Sequence, residues 1–366
     1  MSPSVGVMAD LRIGTLLESE EHTPAHLLAK RLNRHTFWCG QSGSGKTYAL
    51  GVLLEQVLLH TRLPLVILDP NSDFVKLSDV RQDAPVDAAD ALGSRDIRVF
   101  RPGGDNPLKI RMLDMPLRSQ AAVVHLDPIL DAEEYNAMLS LATEYPRIKD
   151  HHLVPHLRAS GAEVMHRLAL RLENLGVAEW GLWAWGGRSV TDDIDERPDA
   201  TVVDLGGFAT QAESRAAALA VLDHLWTHRE ERVGRLIVID EAHNLCSPDP
   251  VSAVDQRLTE LIVQIAAEGR KYGLWLLLST QRPSKVHPNA LSQCDNLALM
   301  RMSSPRDLDE LAEIFGYAPG ALLERSPMFA QGQALFAGGF IAQPSLVQMG
   351  DRLTHEGGID VPVPIR

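Results

Sequence analysis

Gly40-Gln41-Ser42-Gly43-Ser44-Gly45-Lys46-Thr47 decides the fold of this 366-residue chain, because it fills every fixed position of the pattern G-x-x-x-x-G-K-[ST]. Before it, Thr36-Phe37-Trp38-Cys39 reads as a buried strand. After it, Tyr48-Ala49-Leu50-Gly51-Val52-Leu53-Leu54 reads as the first turns of a helix. Strand, glycine-rich loop and helix in that order make a phosphate cradle. The glycines let successive N–H groups wrap around an anion, and the helix N-terminus adds its positive dipole end. The spacing places Lys46 at the β and γ phosphates of a nucleoside triphosphate and the Thr47 hydroxyl on Mg²⁺. A chance Gly/Ser-rich turn has no reason to be flanked in this way.

Many activities use such a loop, and a second motif narrows them. Arg235-Leu236-Ile237-Val238-Ile239-Asp240-Glu241-Ala242-His243 is an apolar run ending in two acids, the pattern of a buried parallel strand whose C-terminal end reaches the site. Asp240 is the candidate Mg²⁺ ligand and Glu241 the candidate general base for an attacking water. The alternative is a strand followed by a solvated acidic turn. His243 is assigned a structural role. A further apolar run, Leu274-Trp275-Leu276-Leu277-Leu278, ends in Ser279, Thr280 and Gln281, and Gln281 is the candidate for sensing the γ phosphate or orienting the water. Ahead of it, Leu258, Leu261, Ile262, Ile265 and Ala266 share one face of a helix that runs into Glu268-Gly269-Arg270-Lys271-Tyr272-Gly273.

Taken as a set, the phosphate loop, Ile-Asp-Glu-Ala-His, Glu-Gly-Arg-Lys-Tyr-Gly, Ser-Thr-Gln-Arg-Pro-Ser at 279–284 and Leu-Ser-Gln-Cys-Asp-Asn at 291–296 resemble the HerA branch of the HerA/FtsK ATPases. Leu68-Asp69-Pro70-Asn71-Ser72-Asp73-Phe74 and Thr201-Val202-Val203-Asp204-Leu205-Gly206-Gly207 add to the resemblance, which covers roughly residues 34–350. It implies a RecA-like motor, a homohexameric ring, ATP hydrolysis at subunit boundaries, and translocation of duplex DNA in company with a nuclease or other effector. It also implies that Arg270 reaches the nucleotide of a neighbouring subunit. A guanidinium suits developing γ-phosphate charge, although a helix C-terminal cation would stand in the same place for dipole reasons alone. Lys271, Arg282 and Arg301 are weaker candidates. Relatives usually carry a small N-terminal β-barrel ahead of the motor, and a loop beginning at residue 40 predicts a chain without it. Residues 1–33 are then a short segment with an extended start at Val5-Gly6-Val7, a strand at Leu11-Arg12-Ile13 and a helical stretch from Pro24 to Lys30.

Alternation of strands and helices predicts an α/β fold, a P-loop domain with a mostly parallel sheet whose strands centre on Phe37, Val66, Val99, Val203, Ile237, Leu276 and Asn296–Met300. The motor divides into residues 34–105 and 199–350, separated by a helical insertion over 106–198 and followed by a tail over 351–366. Within the insertion, helices are expected at Gln120–Leu126, Asp131–Thr143 with Asp131 as N-cap, and Ala162–Leu175. Trp180, Trp183 and Trp185 are read as anchors of the insertion rather than base-stacking platforms. The acidic run Thr191–Pro198 reads as a mobile loop. Asp69 is either a second acid near the site or the cap of the Pro70–Asp73 turn. The tail, Gly357–Arg366, has no core of its own and is expected to lie across a neighbouring subunit.

Composition bounds the partners. A net charge of −13 argues against a generally DNA-coated surface but leaves room for a basic pore. No apolar stretch approaches a membrane span and no signal peptide is visible, so direct membrane insertion is excluded and the cytoplasm is the predicted compartment. Cys39, Cys246 and Cys294 are too far apart to suggest a disulfide framework or zinc site, and the histidines at 151, 152, 156 and 166 fit no zinc spacing. Besides a DNA-translocating ATPase, two classes remain open: an ATP-binding scaffold whose ring activates an effector, as in phage defence, and a secretion or conjugation coupling ATPase.

Overall fold

Apolar runs without alternation need cover on both faces, and here they receive it. In the computed structural model, which describes residues 10–19, 23–144 and 153–358, every residue of His35–Cys39 (β3), Leu65–Asp69 (β4), Ala200–Asp204 (β6) and Arg235–Ile239 (β7) is buried. With Asp10–Leu16 (β1), Pro24–Leu28 (β2), Ile97–Phe100 (β5), Leu274–Thr280 (β8), Cys294–Met300 (β9), Gln333–Gly338 (β10) and Ser345–Met349 (β11), they form one eleven-stranded sheet in the order β2-β1-β11-β10-β9-β3-β8-β7-β4-β6-β5. From β9 to β5 all pairings are parallel; β10, β11, β1 and β2 add an antiparallel edge. The parallel strands are those the sequence predicts, and the α/β, mostly parallel fold is as expected.

The strand period of two divides the core. Phe37 and Cys39 of β3 face one side, and Trp38 faces the other. On the Trp38 side lie Lys46–His60 (α1) and Val86–Gly93 (α2). Among the described residues, five helices lie between β5 and β6: Leu117–Val123 (α3), Ala132–Glu144 (α4), Leu153–Ala159 (α5), Glu163–Leu175 (α6) and Val190–Asp195 (α7). They join the Phe37-side core together with Gln211–Thr227 (α8) and Ala253–Glu268 (α9). Among the described residues, three further helices follow: Pro288–Leu291 (α10), Pro305–Ile314 (α11) and Gly320–Leu323 (α12).

Several local expectations are corrected. Pro24–Leu28 is a strand, not a helix: Ala25 and Leu27 are buried while Pro24 and His26 are exposed, an alternation that suits pairing with β1. The acidic run after Val190 is not a loop, because Ser189 and Asp192 form a reciprocal capping box that starts α7, and Arg98, Arg111 and Arg188 pair with its acids. Asp131 directly precedes α4, but its carboxylate is taken by Arg171 and by the Asp127 N–H. Trp183 is buried, stacks on Trp180 and donates its indole N–H to Val177 O at 2.6 Å, the contacts of an anchor. The stretch Val5–Val7, His151, His152 and residues 359–366 of the tail lie outside the described residues.

Beyond β11 the chain turns back over α1 as a strap. Arg352 N donates to Tyr48 Oη at 2.7 Å, Thr354 bridges to Val80, and Gly357 N donates to Asp73 O at 3.0 Å. Glu55, buried in α1, accepts from Leu353 N, Thr354 N and Thr354 Oγ1 at 2.8, 2.8 and 2.6 Å. The fully buried Arg352 lies beside it with Nε 3.6 Å from Glu55 Oε1. Gly51 makes this possible, since a Cβ there would stand 2.5 Å from Arg352 Nε.

Candidate active site

Parallel strands carry their ligands at their C-terminal ends, and β3, β7 and β8 bring Lys46, Asp240, Glu241, Ser279 and Gln281 together there. The loop Gly40–Gly45 joins β3 to α1 with Gly43 and Gly45 in the left-handed region, at φ 73° and 88°. Gly40 packs so closely that a Cβ would meet Met300 Cβ at 2.7 Å. Neighbouring segments fix the loop from outside. Gln41 N donates to Arg301 O at 2.8 Å, Arg301 Nη2 to Gly43 O at 2.9 Å, Ser303 N to Gln41 Oε1 at 2.9 Å and Gly332 N to Ser44 O at 2.9 Å. Arg301, a candidate for reaching a neighbour's nucleotide, therefore braces its own phosphate loop.

Lys46 Nζ is buried and donates to Asp240 Oδ1 at 2.7 Å and Ser279 Oγ at 3.0 Å, with Glu241 Oε1 at 3.2 Å. Burial works against its charge, but Asp240 and then Glu241 outweigh that and raise its pKa. Ser279 Oγ in turn donates to Asp240 Oδ1 at 2.6 Å. Glu241 sits in the left-handed region at φ 44°, ψ 49°, an uncommon conformation for a non-glycine residue and one that concentrates at functional sites. Gln281 Nε2 donates to Glu241 Oε1 at 2.8 Å, and His243 Nδ1 lies 3.2 Å from Oε2 and 3.0 Å from Thr280 Oγ1. Burial pushes the Glu241 carboxyl up, yet His243, Lys46 and Gln281 together pull it down to about 2. His243 is thus in contact with the candidate base, closer to the chemistry than its sequence assignment.

These groups open on a cavity of about 640 Å³ lined by Gln41–Gly43, Gly45–Tyr48, Asp73, Gln281 and, from the opposite wall, residues of the β10–β11 hairpin and strap. Its size suits a small-molecule cofactor. The residues also fit a divalent cation: Asp240 Oδ2 is buried without a partner, Thr47 lines the cavity, and carboxylate oxygens of Asp69, Asp73 and Asp240 lie within 4.8 Å of one another. Asp69 itself is engaged as a turn cap, accepting from Asn71 N, Asp73 N and Phe74 N at 3.3, 3.0 and 2.7 Å.

Arg270 is not part of this constellation. It follows α9, at the start of β8, and pairs with Asp295 at the start of β9. At about 3.3 Å per residue, the seven residues of β8 separate it from Gln281 by roughly 20 Å. Lys271 shares that position in the turn, and Arg282 N donates to Thr280 Oγ1 at 3.0 Å. Sequence reasoning passed over Asp73, Ser279 as the link between Lys46 and Asp240, and the whole β10–β11 wall. Ser279 was legible as a polar residue at a strand end; the wall carries no motif.

Residues 11–173 match the family described as "Helicase HerA, central domain". A DNA double-strand break repair helicase HerA of Sulfurisphaera tokodaii is 32% identical over 115 residues, 31% of this chain and 22% of that protein. The corresponding protein of Pyrococcus furiosus is 30% identical over 114 residues, 31% of this chain and 20% of that one. The matched stretch spans about a fifth of these relatives' length. Among solved structures, VirB4 of Thermoanaerobacter pseudethanolicus superposes with TM-score 0.62 at 15% identity, covering 93% of this chain and 96% of that one. The plasmid coupling protein TrwB in complex with ADP and Mg²⁺ gives 0.62 at 13% identity, covering 95% and 96%. At such identities the shared property is the fold.

Proposed function

We propose that this chain, a HerA-like P-loop ATPase of the HerA/FtsK superfamily, hydrolyses ATP to ADP and phosphate and couples the cycle to translocation of duplex DNA through a homohexameric ring. The observation that carries this reading is the hydrogen-bonded set Lys46, Asp240, Ser279, Glu241 and Gln281, of which Lys46 and Gln281 line a cavity that the phosphate loop walls on one side. In such a site the backbone N–H groups of Gly43–Thr47 hold the β phosphate, and Lys46 exchanges its carboxylate partners for phosphate oxygens. Its departure frees Asp240 to hold Mg²⁺ with Thr47, and removes a charge that depresses Glu241. The cation supplies charge neutralisation on the phosphates. Glu241, oriented by Gln281 and His243, then accepts the proton of the attacking water.

Arg270, roughly 20 Å away along β8, suits a role on the neighbouring subunit's nucleotide better than one in its own site. DNA as the track rests on relatives named as DNA double-strand break repair helicases; a nuclease as partner and the cytoplasm as location are proposed with it, on the family resemblance of the motifs. No helix among the described residues is long and apolar enough to cross a membrane.

The test is ATP turnover with and without linear duplex DNA, with particle mass recorded in parallel, for wild type and Glu241→Gln. A hexamer-sized particle whose turnover rises severalfold with DNA and falls by at least about 100-fold in the variant supports the proposal. Slow turnover indifferent to DNA would replace it with the effector-activating scaffold.

A further inference from the structure

The cavity continues past the space that phosphates would occupy. Lys46, Asp73 and Gln281 mark its γ-phosphate end; Gln331, Gly332, Gln348, Gly350 and Asp351 wall the other. That wall is joined to the phosphate loop by Gly332 N donating to Ser44 O at 2.9 Å and Met349 N donating to Gly332 O at 2.8 Å. A Cβ on Gly45 would stand 3.3 Å from Gly332 N, so the loop and the wall are in contact. Gly332 has φ +77°, and a Cβ there would meet the Gln348 side-chain amide at 2.9 Å. Bare backbone at Gly332 therefore lets the Gln348 carboxamide lie across it, beside the phosphate loop. Gln348 is half-buried on β11, and its carboxamide has no hydrogen-bond partner among the described residues.

We infer that Gln348 is a specificity-determining residue that reads the base of the bound nucleotide and selects adenine. The inference rests on the ATPase reading of the same pocket. With the γ phosphate at Lys46 and Gln281, the inference places the nucleoside against the β10–β11 wall, which lines the same cavity and is bonded to the phosphate loop. A carboxamide offers one acceptor and one donor in a plane, which match the N6 amino group and N7 of adenine as a bidentate pair. Guanine presents two acceptors, O6 and N7, along the same edge, leaving the amide oxygen opposed to O6. A site that hydrogen-bonds a substrate group discriminates strongly against an analogue lacking it, because its own polar atom is then left unpaired. The elements that position this amide are Gly332, which has no side chain in the way, and the antiparallel register that sets Gln348 opposite Gln333.

The experiment measures equilibrium binding of ATP and GTP to the full chain with Mg²⁺, for wild type and Gln348→Ala. Wild type is expected to prefer ATP, and the variant to lose roughly tenfold in that preference through weaker ATP binding, with GTP affinity retained. Retained GTP binding also reports an intact phosphate loop and fold. Equal affinities in wild type, an unchanged ratio in Gln348→Ala, or parallel loss of both nucleotides would overturn the inference while leaving the ATPase reading standing. Absence of any nucleotide binding by wild type would overturn both.

Discussion

Replacing Gly51 with alanine should destabilise this protein by about 2–4 kcal/mol, against the usual direction for a helix interior. By propensity alone, alanine is favoured over glycine by about 1 kcal/mol in the middle of a helix. At this position of α1, the added Cβ would stand 2.5 Å from Arg352 Nε, 2.7 Å from Cζ and 2.8 Å from Cδ. Arg352 cannot swing away into water: its side chain is fully buried, faces the Phe74 ring at 5.7 Å and donates to His355 O at 3.3 Å. Displacing it leaves Glu55 buried without its cation, and breaking a buried pair costs about 3–5 kcal/mol. Subtracting the propensity gain gives the stated range. Urea unfolding of Gly51→Ala, Arg352→Ala and the double variant checks it as a thermodynamic cycle. With Arg352 gone, the obstacle is gone, so Gly51→Ala should then stabilise by about 1 kcal/mol. A neutral or stabilising effect in the wild-type background, or the same effect in both backgrounds, would refute the argument that Gly51 exists to admit the guanidinium.

Two other perturbations test the site. Rings of Arg270→Ala and rings of Lys46→Ala should each be inactive, and mixing their subunits should restore turnover wherever an intact phosphate loop meets an intact Arg270; mixed rings that assemble yet show no recovery would assign Arg270 only to its pair with Asp295. Burial, and then the nearby Asp240 charge, raise Asp73 to about 6, so the folded protein holds a proton there after the unfolded chain has lost it. Its contribution to stability therefore falls as pH rises from about 4 through 6. Buried His35, lowered to about 4, pulls the other way over much of this range, so the comparison is made against Asp73→Asn. Melting temperatures without nucleotide should show wild type losing ground to the variant as pH rises, with Mg²⁺ restoring it; a wild type that gains on the variant would contradict the assignment.

The motifs legible in the sequence are those whose function is local. The phosphate loop needs glycines at fixed offsets because its N–H groups come from consecutive residues, and the acid pair needs only the end of a buried strand. For the same reason the parallel strands could be read from unbroken apolar runs. Pro24–Leu28 could not: its five residues bury only Ala25 and Leu27, too short a pattern to separate from a helix turn until β1 is beside it. Capping by Ser189 and Asp192 was available in the sequence as S-x-x-D, but the acids that follow Asp192 concealed it until Arg98 and Arg188 were seen to neutralise them.

By itself, the sequence determined the glycine-rich loop between β3 and α1 and the acids that stand beside its lysine. Only the tertiary structure decided the rest: that Ser279 ties Lys46 to Asp240, that Arg301 and Gly332 brace the phosphate loop, that Arg270 lies at the far end of β8, and that β10, β11 and the strap wall the cavity. The division has a physical cause. Backbone geometry within a dozen residues follows from local sterics and hydrogen bonding, whereas contacts between residues as distant as Ser44 and Gly332 or Glu55 and Thr354 exist only once the sheet has set its strand order.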